Sequence, residues 1–257
     1  MKRFEGKVAI ITGGGEGIGR AIATRLAGEG AAIGIIDVNA EKGAATAAEI
    51  GDAAGVPHAF AQADISDEGA VITAVEAIVG ELGRPTVLIN NAAINLFRDI
   101  NATPEDWRKV MDVNVMGGAL MAKHVVPHMR EAGGGAIVNM SSISAVIAQK
   151  DFLTYNASKA AVVAVSKCLA YDLADDGIRV NSLCPGATLT EGVKNVIAER
   201  GLQLETAAKE PNLGLEHMLD RMAEPEEIAG AVAFLASDDA SFVTGSNMMV
   251  DGGWSAI

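Results

Sequence analysis

Short apolar runs alternate with longer alanine-rich amphipathic segments along the chain, and no other feature of the sequence limits its fold as strongly. Strands that are buried on both faces read as short aliphatic runs, and the stretches with this character are 8–11, 32–36, 87–89, 136–140 and 180–183. The segments with the composition of helices are 18–29, 40–54, 68–82, 104–131 and 156–173. This order predicts an α/β protein whose doubly wound parallel sheet carries helices on both faces.

The domain organisation follows from length and continuity. A chain of 257 residues suits one large α/β domain. We find no long linker, low-complexity tract or internal repeat, and therefore expect a single domain over residues 1–257. One segment, at about 190–222, breaks the alternation because it is charged and helical in composition and directly follows a strand. An insertion there lies at the carboxyl end of the sheet, where ligands bind in open α/β folds, so we expect a substrate loop.

Charge and cysteine content narrow the class of protein. The formal net charge of −13 disfavours nucleic acid and anionic membranes as partners, because both need a basic surface. The sequence has no apolar run of membrane-spanning length and no signal-peptide-like hydrophobic region, so we expect a soluble cytoplasmic protein. Cys168 and Cys184 lack metal-ligand spacing, and we expect them to be two buried thiols in a reducing compartment.

A glycine-rich turn follows the first predicted strand and opens the first predicted helix. Its spacing, T-G-x-x-x-G-x-G, places Gly13, Gly17 and Gly19 where a tight turn and close approach of a ligand to the backbone are needed. The amides of the helix N-terminus, with Ile18 among them, can bind a pyrophosphate. The alternative is an ordinary strand-to-helix turn, but the strand–turn–helix context favours a dinucleotide site.

The residue that ends the second predicted strand indicates which dinucleotide binds. Asp37 is placed to accept hydrogen bonds from the adenosine ribose hydroxyls, and a carboxylate there repels a 2′-phosphate. Glu16 adds negative charge, and Lys42 is the nearest cation after Asp37 in the sequence. We therefore expect NAD(H) rather than NADP(H). The alternative role for Asp37 is to start the turn before the next helix.

Asp64 and Ile65 follow the third predicted strand. Their position fits a contact with the adenine of the dinucleotide. Asp64 is equally placed to cap a turn, and the sequence leaves both interpretations open.

Tyr155 and Lys159 are four residues apart at the start of a predicted helix, which places them on one face. Bringing a phenol pKa from about 10 to near 7 requires roughly 4 kcal/mol in favour of the phenolate. A cation about 5 Å away at an effective dielectric constant of about 20 supplies roughly 3 kcal/mol. We therefore expect Lys159 to lower the pKa of Tyr155 and the positive charge of an oxidised nicotinamide to complete the shift. An isolated pair of this spacing is more often a surface tyrosine beside a solvated lysine, so the interpretation depends on the rest of the chain.

Motifs distributed from Lys7 to Gly253 resemble those of the short-chain dehydrogenase/reductase family. The matching elements are residues 12–19, Asn90-Asn91-Ala92, Asn114, Ser142, Tyr155 with Lys159, Pro185-Gly186, 225–229 and 250–253. Ser142 precedes Tyr155 by thirteen residues, the separation that the family uses, and is preferred for this reason to Ser141 and Ser144. The resemblance implies a Rossmann-type sheet of about seven strands and hydride transfer between a nicotinamide and an alcohol or carbonyl.

The resemblance also implies roles for the catalytic residues. Tyr155 would be the general acid/base, and Lys159 would lower its pKa and bind the nicotinamide ribose. Ser142 would hydrogen-bond the substrate oxygen, and Asn114 would hold a water that links Lys159 to solvent. Taken alone, Asn114 reads as a helix-interior asparagine bonded to the backbone.

Further residues are assigned to the cofactor by the same resemblance. Asn91 would contact the cofactor, whereas Asn90 would brace the sheet. Thr188 and Thr190 are placed to reach the nicotinamide carboxamide, although Thr188 replaces a commoner aliphatic residue. Ala93 also departs from the family pattern, because Gly is usual there.

The substrate is expected to be a neutral, moderately polar secondary alcohol or its ketone, because few charges occur among the positions expected to line the pocket. These positions are Ala93, Ile94, Asn95, Ala145, Val146, Gln149, Ala187 and the segment after Thr190. His124 and His128 are four residues apart, but no acidic or cysteine partner set accompanies them, so we expect no metal site.

Two other functions fit the sequence less well. A catalytically silent dinucleotide-binding regulator or scaffold has no physical need for Asn114, Ser142, Tyr155 and Lys159 together. An epimerase or dehydratase of the extended relatives needs a larger substrate domain.

We also expect a homotetramer. The helical segments 104–131 and 155–174 carry apolar residues on more than one face, and the last residues 248–257 add further apolar material. The resemblance implies the same assembly, since members of the family are commonly tetramers.

Overall fold

The computed structural model describes residues 2–213 and 215–256, and these contain a seven-stranded sheet in the order β3-β2-β1-β4-β5-β6-β7 with every pairing parallel. The strands are β1 (Val8–Thr12), β2 (Ala32–Asp37), β3 (His58–Gln62), β4 (Val87–Asn90), β5 (Gly135–Met140), β6 (Ile178–Pro185) and β7 (Asn247–Val250). The predicted doubly wound, Rossmann-type fold is confirmed. The five strands given bounds from the sequence are present, and β3 and β7 complete the sheet.

Helices connect the strands and cover both faces of the sheet. They are α1 (Gly17–Gly28), α2 (Ala40–Ala54), α3 (Glu68–Leu82), α4 (Pro104–Met111), α5 (Gly118–Glu131), α6 (Leu153–Asp172), α7 (Glu191–Glu199), α8 (Leu204–Ala207) and α9 (Pro225–Ala236). The predicted bounds of α2 and α3 agree with the structure. The predicted helix 104–131 contains a π-helical turn, Asp112–Gly117, between α4 and α5.

A hydrophobic core lies on each face of the sheet. One contains Ile22 and Leu26 of α1 together with Val232 of α9. The other joins side chains of α3, α5 and α6, with Ile78 and Met121 fully buried. Because both faces are covered, strands β1 and β4 are buried throughout, as their continuous apolar runs predict.

The segment 190–222 is less helical than its composition predicts. It contains α7 and the four-residue α8, and its other described residues form turns and irregular backbone. Gly201 has a φ of +68°, and Pro211 cannot continue a helix, so both interrupt it. The segment has its own small cluster of buried side chains, Ile197, Ala207, Leu213 and Met222, and follows the carboxyl end of β6.

The site-forming crevice results from strand order. The chain winds outwards from β1 to β3 on one side and from β4 to β7 on the other. The connections at the carboxyl ends of β1 and β4 therefore diverge, and this is where open α/β sheets bind ligands.

The structure also bears on the expectations about membrane-spanning segments and about the two cysteines. Within the described ranges no helix is long and apolar enough to cross a membrane. Cys184 is a buried free thiol, as expected, whereas the expectation that Cys168 is buried is wrong. On α6 the buried residues Val162, Ser166 and Ala170 form one stripe, and Cys168 lies about 200° around the helix from Ser166.

Candidate functional site

The glycine-rich loop packs as tightly as its spacing predicts. Gly13 and Gly17 adopt φ values of +62° and +56°, which favour glycine. A Cβ added at Gly19 would lie 2.0 Å from the carbonyl oxygen of Gly13, so there is no room for a side chain where α1 packs against the loop. No side chain of the described residues caps α1, and its first turn contains no acidic residue. The free amides and the space in front of them fit an anionic pyrophosphate.

Asn91 holds this loop from the neighbouring strand end. Its Nδ2 donates to the carbonyl oxygens of Thr12 at 3.1 Å and Gly13 at 3.0 Å. The Thr12 hydroxyl oxygen accepts from the amides of Asn91 and Ala92, both at 3.0 Å. The loop is therefore fixed to the end of β4. The Asn90 amide donates to Asn139 of β5 and to the Gly118 carbonyl, so this residue braces the sheet as expected.

Asp37 ends β2 beside the loop. One carboxylate oxygen accepts from the Gly15 amide and the other from the Asn39 amide, both at 2.9 Å. The side chain thus also starts the turn before α2, which was the alternative role, and it remains half-buried at the rim.

A cation lies closer to this rim than the sequence indicated. Lys42, on the first turn of α2, donates to the Glu16 carboxylate, and this contact raises the pKa of Lys42. Separation in sequence concealed the contact, because the loop and α2 converge only in the fold. Counting Asp37, Glu16 and Lys42 together, the rim keeps one net negative charge.

Asp64 and Ile65 have local roles in the structure. The Asp64 carboxylate accepts from the amide and the hydroxyl of Ser66 at 2.9 and 2.7 Å, which is the turn-capping role that the sequence left open. Ile65 is buried and packs against Gly117 of the π-helical turn. Both residues follow β3 at the carboxyl edge of the sheet.

Tyr155 and Lys159 meet on the first two turns of α6, as their spacing predicts. The Lys159 Nζ lies 5.6 Å from the centroid of the tyrosine ring and donates to the Met140 carbonyl at 3.0 Å. Lys159 is 4 % exposed. Its ammonium has two further N–H groups, which point to a site for additional acceptors in the cavity.

Burial dominates the electrostatics of this pair. It raises the pKa of Tyr155 to about 12, and the neighbouring Ser142 hydroxyl opposes the shift. Burial also lowers the pKa of Lys159 to about 8. The expectation that Lys159 by itself lowers the pKa of the phenol is therefore wrong for the protein without ligand, because desolvation of the phenolate outweighs the attraction of the ammonium.

Ser142 lies at the end of β5 beside Tyr155, in a serine-rich turn. Its hydroxyl oxygen accepts from the Ser144 amide at 3.1 Å. The Ser141 hydroxyl instead donates to the Lys159 carbonyl, and that of Ser144 donates to Gln149. Of the three serines, Ser142 is the one whose hydroxyl interacts with the phenol.

Asn114 occupies the π-helical turn, a feature that is frequent at functional sites. Its side chain accepts from the Ile94 amide at 2.7 Å and donates to the Ile94 carbonyl at 3.0 Å and to the Ser158 hydroxyl at 3.1 Å. Asn114 thus ties the chain after β4 to α6, one residue away from Lys159.

The chain after β6 closes the other side of the site. Thr188 is buried and donates to the Gly186 carbonyl, and Thr190 caps α7 and contacts Gly17 through its methyl group. His217 was not assigned a role from the sequence. Its ring is 3 % exposed, accepts from the Ala187 amide and bonds to the Arg221 carbonyl, so it anchors the segment 190–222 to this loop.

One cavity of about 420 Å³ joins the glycine-rich loop to the residues around Tyr155. It is lined by Gly17, Ile18 and Gly19 at one end, by Ser142, Tyr155 and Lys159 further in, and by Thr188 and Thr190 from the loop after β6. This places most of the residues assigned from the sequence around one space.

The same cavity is also lined by residues that were expected to contact the substrate. Of the positions expected there, Ala93, Asn95, Gln149 and Ala187 line it, whereas Ile94, Ala145 and Val146 do not. Asn212 and Leu213 of the segment after Thr190 also line it, as expected, together with three residues that the sequence did not suggest, Phe97, Phe152 and Trp254.

His124 and His128 each contact an acidic side chain of α3. His124 contacts Glu68 and His128 contacts Glu76, so the expectation that acidic partners are missing is wrong for each of them. Each histidine has a different carboxylate, however, and the described residues contain no group of three that could hold a metal ion.

Comparison with known proteins gives consistent matches over the whole chain. A family whose sequence model is described as "Enoyl-(Acyl carrier protein) reductase" matches residues 13–255. A D-threitol dehydrogenase from Mycolicibacterium smegmatis is 40% identical over 254 residues, which cover 98% of this chain and 94% of the relative. A cyclopentanol dehydrogenase from a Comamonas species is 38% identical over 257 residues, covering 100% of both chains.

The fold also matches solved structures. The crystal structure of an L-sorbose reductase from Gluconobacter frateurii, complexed with NADPH and L-sorbose, superposes with a TM-score of 0.91. The two proteins are 33% identical, and the match covers 100% of each chain.

Proposed function

Since the chain belongs to the short-chain dehydrogenase/reductase family, we propose that it is an NAD-dependent alcohol dehydrogenase or carbonyl reductase acting on a secondary alcohol or its ketone. The observation that carries the proposal is the position of the Tyr155–Lys159 pair beside Ser142, in the same cavity as the uncapped N-terminus of α1. The relatives support the substrate class, because they are named as dehydrogenases or reductases of alcohols, polyols or sugars.

The preference for NAD rests on Asp37 and on the residual charge around it. Gly17, Ile18 and Gly19 line the cavity where a pyrophosphate would bind, and the Asp37 carboxylate is held beside the loop by the Gly15 amide, where an adenosine ribose would lie. A 2′-phosphate would meet this carboxylate together with Glu16. Lys42 offsets only one of the two charges, and the Glu16–Lys42 pair is largely exposed and therefore weak. Because the L-sorbose reductase binds NADPH, the preference requires measurement with both cofactors.

Further contacts with the cofactor are proposed on their position. Gly13, Gly17, Ile18 and Gly19 would form the phosphate cradle. Asp64 and Ile65, which follow β3, would border the adenine. Asn91, Thr188 and Thr190, which line the cavity, would border the nicotinamide half.

In the proposed mechanism the nicotinamide supplies or accepts the hydride, and the residues of the chain move the proton. Tyr155 donates its phenolic proton to the substrate oxygen in reduction and takes the hydroxyl proton in oxidation. Ser142 donates a hydrogen bond to the same oxygen and stabilises its developing charge. Lys159, held at the Met140 carbonyl, has N–H groups left for the ribose hydroxyls and stabilises the phenolate.

Asn114 is a positioning residue for this machinery. It orients the chain around Ile94 and the hydroxyl of Ser158, next to Lys159. We assign to the same π-helical turn the water through which Lys159 would exchange protons with solvent.

The assembly is proposed to be a homotetramer. In the single chain the π-helical turn and α6 leave apolar side chains uncovered, with Met116 and Leu153 each 42% exposed and Tyr171 87% exposed. Strand β7 is an edge strand whose residues are only half-buried. Two-fold self-pairing of both surfaces would cover them. Ile257, which also entered the expectation, lies outside the described residues.

We place the protein in the cytoplasm and treat residues 1–257 as one catalytic domain. The free thiols of Cys168 and Cys184 support a reducing compartment.

The experiment that tests the proposal is a screen of secondary alcohols in which reduction of NAD and of NADP is followed in parallel. We expect turnover of several neutral secondary alcohols with NAD. Absence of turnover with every alcohol, together with absence of reduction of the matching ketones, would remove the proposed activity.

A further inference from the structure

The substrate end of the cavity has two chemically different walls. Phe97 and Phe152 stack with their ring centroids 4.1 Å apart, and Phe97 meets the Tyr155 ring edge-on at 5.2 Å. These rings give one wall that suits the carbon skeleton of a substrate.

A second part of the lining is polar and consists of a chain of hydrogen bonds that begins at Ser142, the serine beside the phenol. The Ser144 amide donates to the Ser142 hydroxyl oxygen at 3.1 Å, and the Ser144 hydroxyl donates to Gln149 Oε1 at 2.5 Å. Gln149 Nε2 then donates to Asn212 Oδ1 at 2.9 Å. These hydrogen bonds therefore connect the turn after β5 to the segment 190–222.

This chain fixes the side-chain amide of Gln149 without exhausting its hydrogen-bonding capacity. A primary amide has two N–H groups and an oxygen that can accept two bonds. Ser144 uses one acceptor position and Asn212 one donor, so among the described residues one donor and one acceptor position of Gln149 remain. Gln149 is half-buried and lines the same cavity as Ser142 and Tyr155. A substrate that fills the cavity and leaves these positions unmatched loses hydrogen bonds to water, whereas a substrate hydroxyl can satisfy both.

We propose that Gln149 is a specificity-determining residue that binds a second hydroxyl group on the carbon next to the reactive carbinol, so that the preferred substrates are vicinal diols and the corresponding hydroxyketones. This inference rests on the proposed function. With the reactive oxygen at Ser142 and Tyr155, the neighbouring hydroxyl faces the polar wall and the remaining carbons face Phe97 and Phe152. In the oxidative direction the carbinol C–H and O–H bonds break and a carbonyl forms; bound NAD would take the hydride, the Tyr155 phenolate would take the proton, and the second hydroxyl is unchanged.

Asn212 is a positioning residue: it orients the side-chain amide of Gln149 and is not itself proposed to bind the substrate. Its backbone adopts a φ of +63°, and its amide donates to both carboxylate oxygens of Glu216 at 3.2 Å. The backbone of Asn212 is therefore constrained, and so is the position of its side-chain oxygen. The hydrogen bond to this oxygen fixes the orientation of the Gln149 amide and with it the direction of the remaining N–H group.

The test compares substrates that differ by one hydroxyl group, cyclopentanol and cis-1,2-cyclopentanediol, in the wild type and in Gln149→Leu. We expect the wild type to have the higher kcat/KM for the diol. In Gln149→Leu we expect the ratio of the two kcat/KM values to fall by about tenfold or more, mainly through the diol, because a buried hydrogen-bonding partner is lost. The matched control is Gln203→Leu, an exposed glutamine in the segment 190–222 outside the cavity lining, for which the ratio should stay within about twofold.

The outcomes separate the inference from the proposed function. If cyclopentanol is oxidised equally by the wild type and Gln149→Leu and the diol ratio is unchanged, the role of Gln149 is refuted while the dehydrogenase activity stands. The inference is also refuted if the control shifts the ratio as much as Gln149→Leu. If the wild type neither oxidises any alcohol nor reduces any of the matching ketones, both are refuted.

Discussion

Replacing Lys159 by methionine should make the protein without ligand more stable and catalytically inactive. The Lys159 ammonium is 4 % exposed, and burial lowers its pKa from 10.5 to about 8. A shift of this size corresponds to about 3 kcal/mol of unfavourable free energy for the charged form in the folded chain. The hydrogen bond to the Met140 carbonyl returns about 1 kcal/mol. Methionine, which has a similar length and no charge, should therefore raise the free energy of unfolding at neutral pH by about 2 kcal/mol.

The stability difference between Lys159→Met and the wild type should depend on pH. Because the pKa is lower in the folded chain than in the unfolded chain, the destabilisation is complete below about pH 8 and disappears as the pH rises through about 10.5. We expect thermal unfolding of Lys159→Met to occur about 4–8 °C above the wild type at pH 7. The difference should shrink between pH 8 and 10. Lys167→Met, an exposed change on the same helix, is the control and should leave the midpoint almost unchanged. A Lys159→Met protein that is less stable than the wild type at pH 7 would refute the argument that desolvation dominates at this site.

Three further predictions concern the cofactor, the loop and the assembly. Asp37→Ala should narrow the preference for NAD over NADP by weakening NAD, measured as the ratio of the two kcat/KM values; a wild type that prefers NADP would contradict this. Gly19→Ala should abolish dinucleotide binding measured by calorimetry, because the added Cβ would lie 2.0 Å from the Gly13 carbonyl oxygen, whereas Gly28→Ala on the same helix meets nothing within 4 Å and should bind normally. Light scattering at micromolar concentration should give four times the monomer mass; a monomer would refute the assembly, and a dimer would mean that one of the two apolar surfaces is covered within the chain.

The sequence predicted the parts of the fold that depend on local pattern. The bounds of α2 and α3 follow from amphipathic periodicity and from the caps at Asn39 and Asp67, whose side chains accept from backbone amides of the first turn. The π-helical turn at Asn114 has no such signal in the sequence, where residues 104–131 have the pattern of one continuous helix.

The candidate site was predictable where spacing carries the geometry, as between Tyr155 and Lys159. It was not predictable where residues distant in the chain meet. Lys42 contacts Glu16 across 26 positions, and Gln149 contacts Asn212 across 63. The raised pKa of Tyr155 in the protein without ligand was not predicted for a related reason, because the degree of burial is a property of the folded cavity.

The most direct test of the account is the turnover of Tyr155→Phe with NAD and a secondary alcohol that the wild type oxidises. The phenol acts on the proton of the substrate, so its removal should lower kcat by about a hundredfold to ten-thousandfold. NAD binding, measured by calorimetry on the same preparation, should remain close to that of the wild type. A Tyr155→Phe enzyme that binds NAD and keeps substantial turnover would contradict the assignment of Tyr155 as the general acid/base.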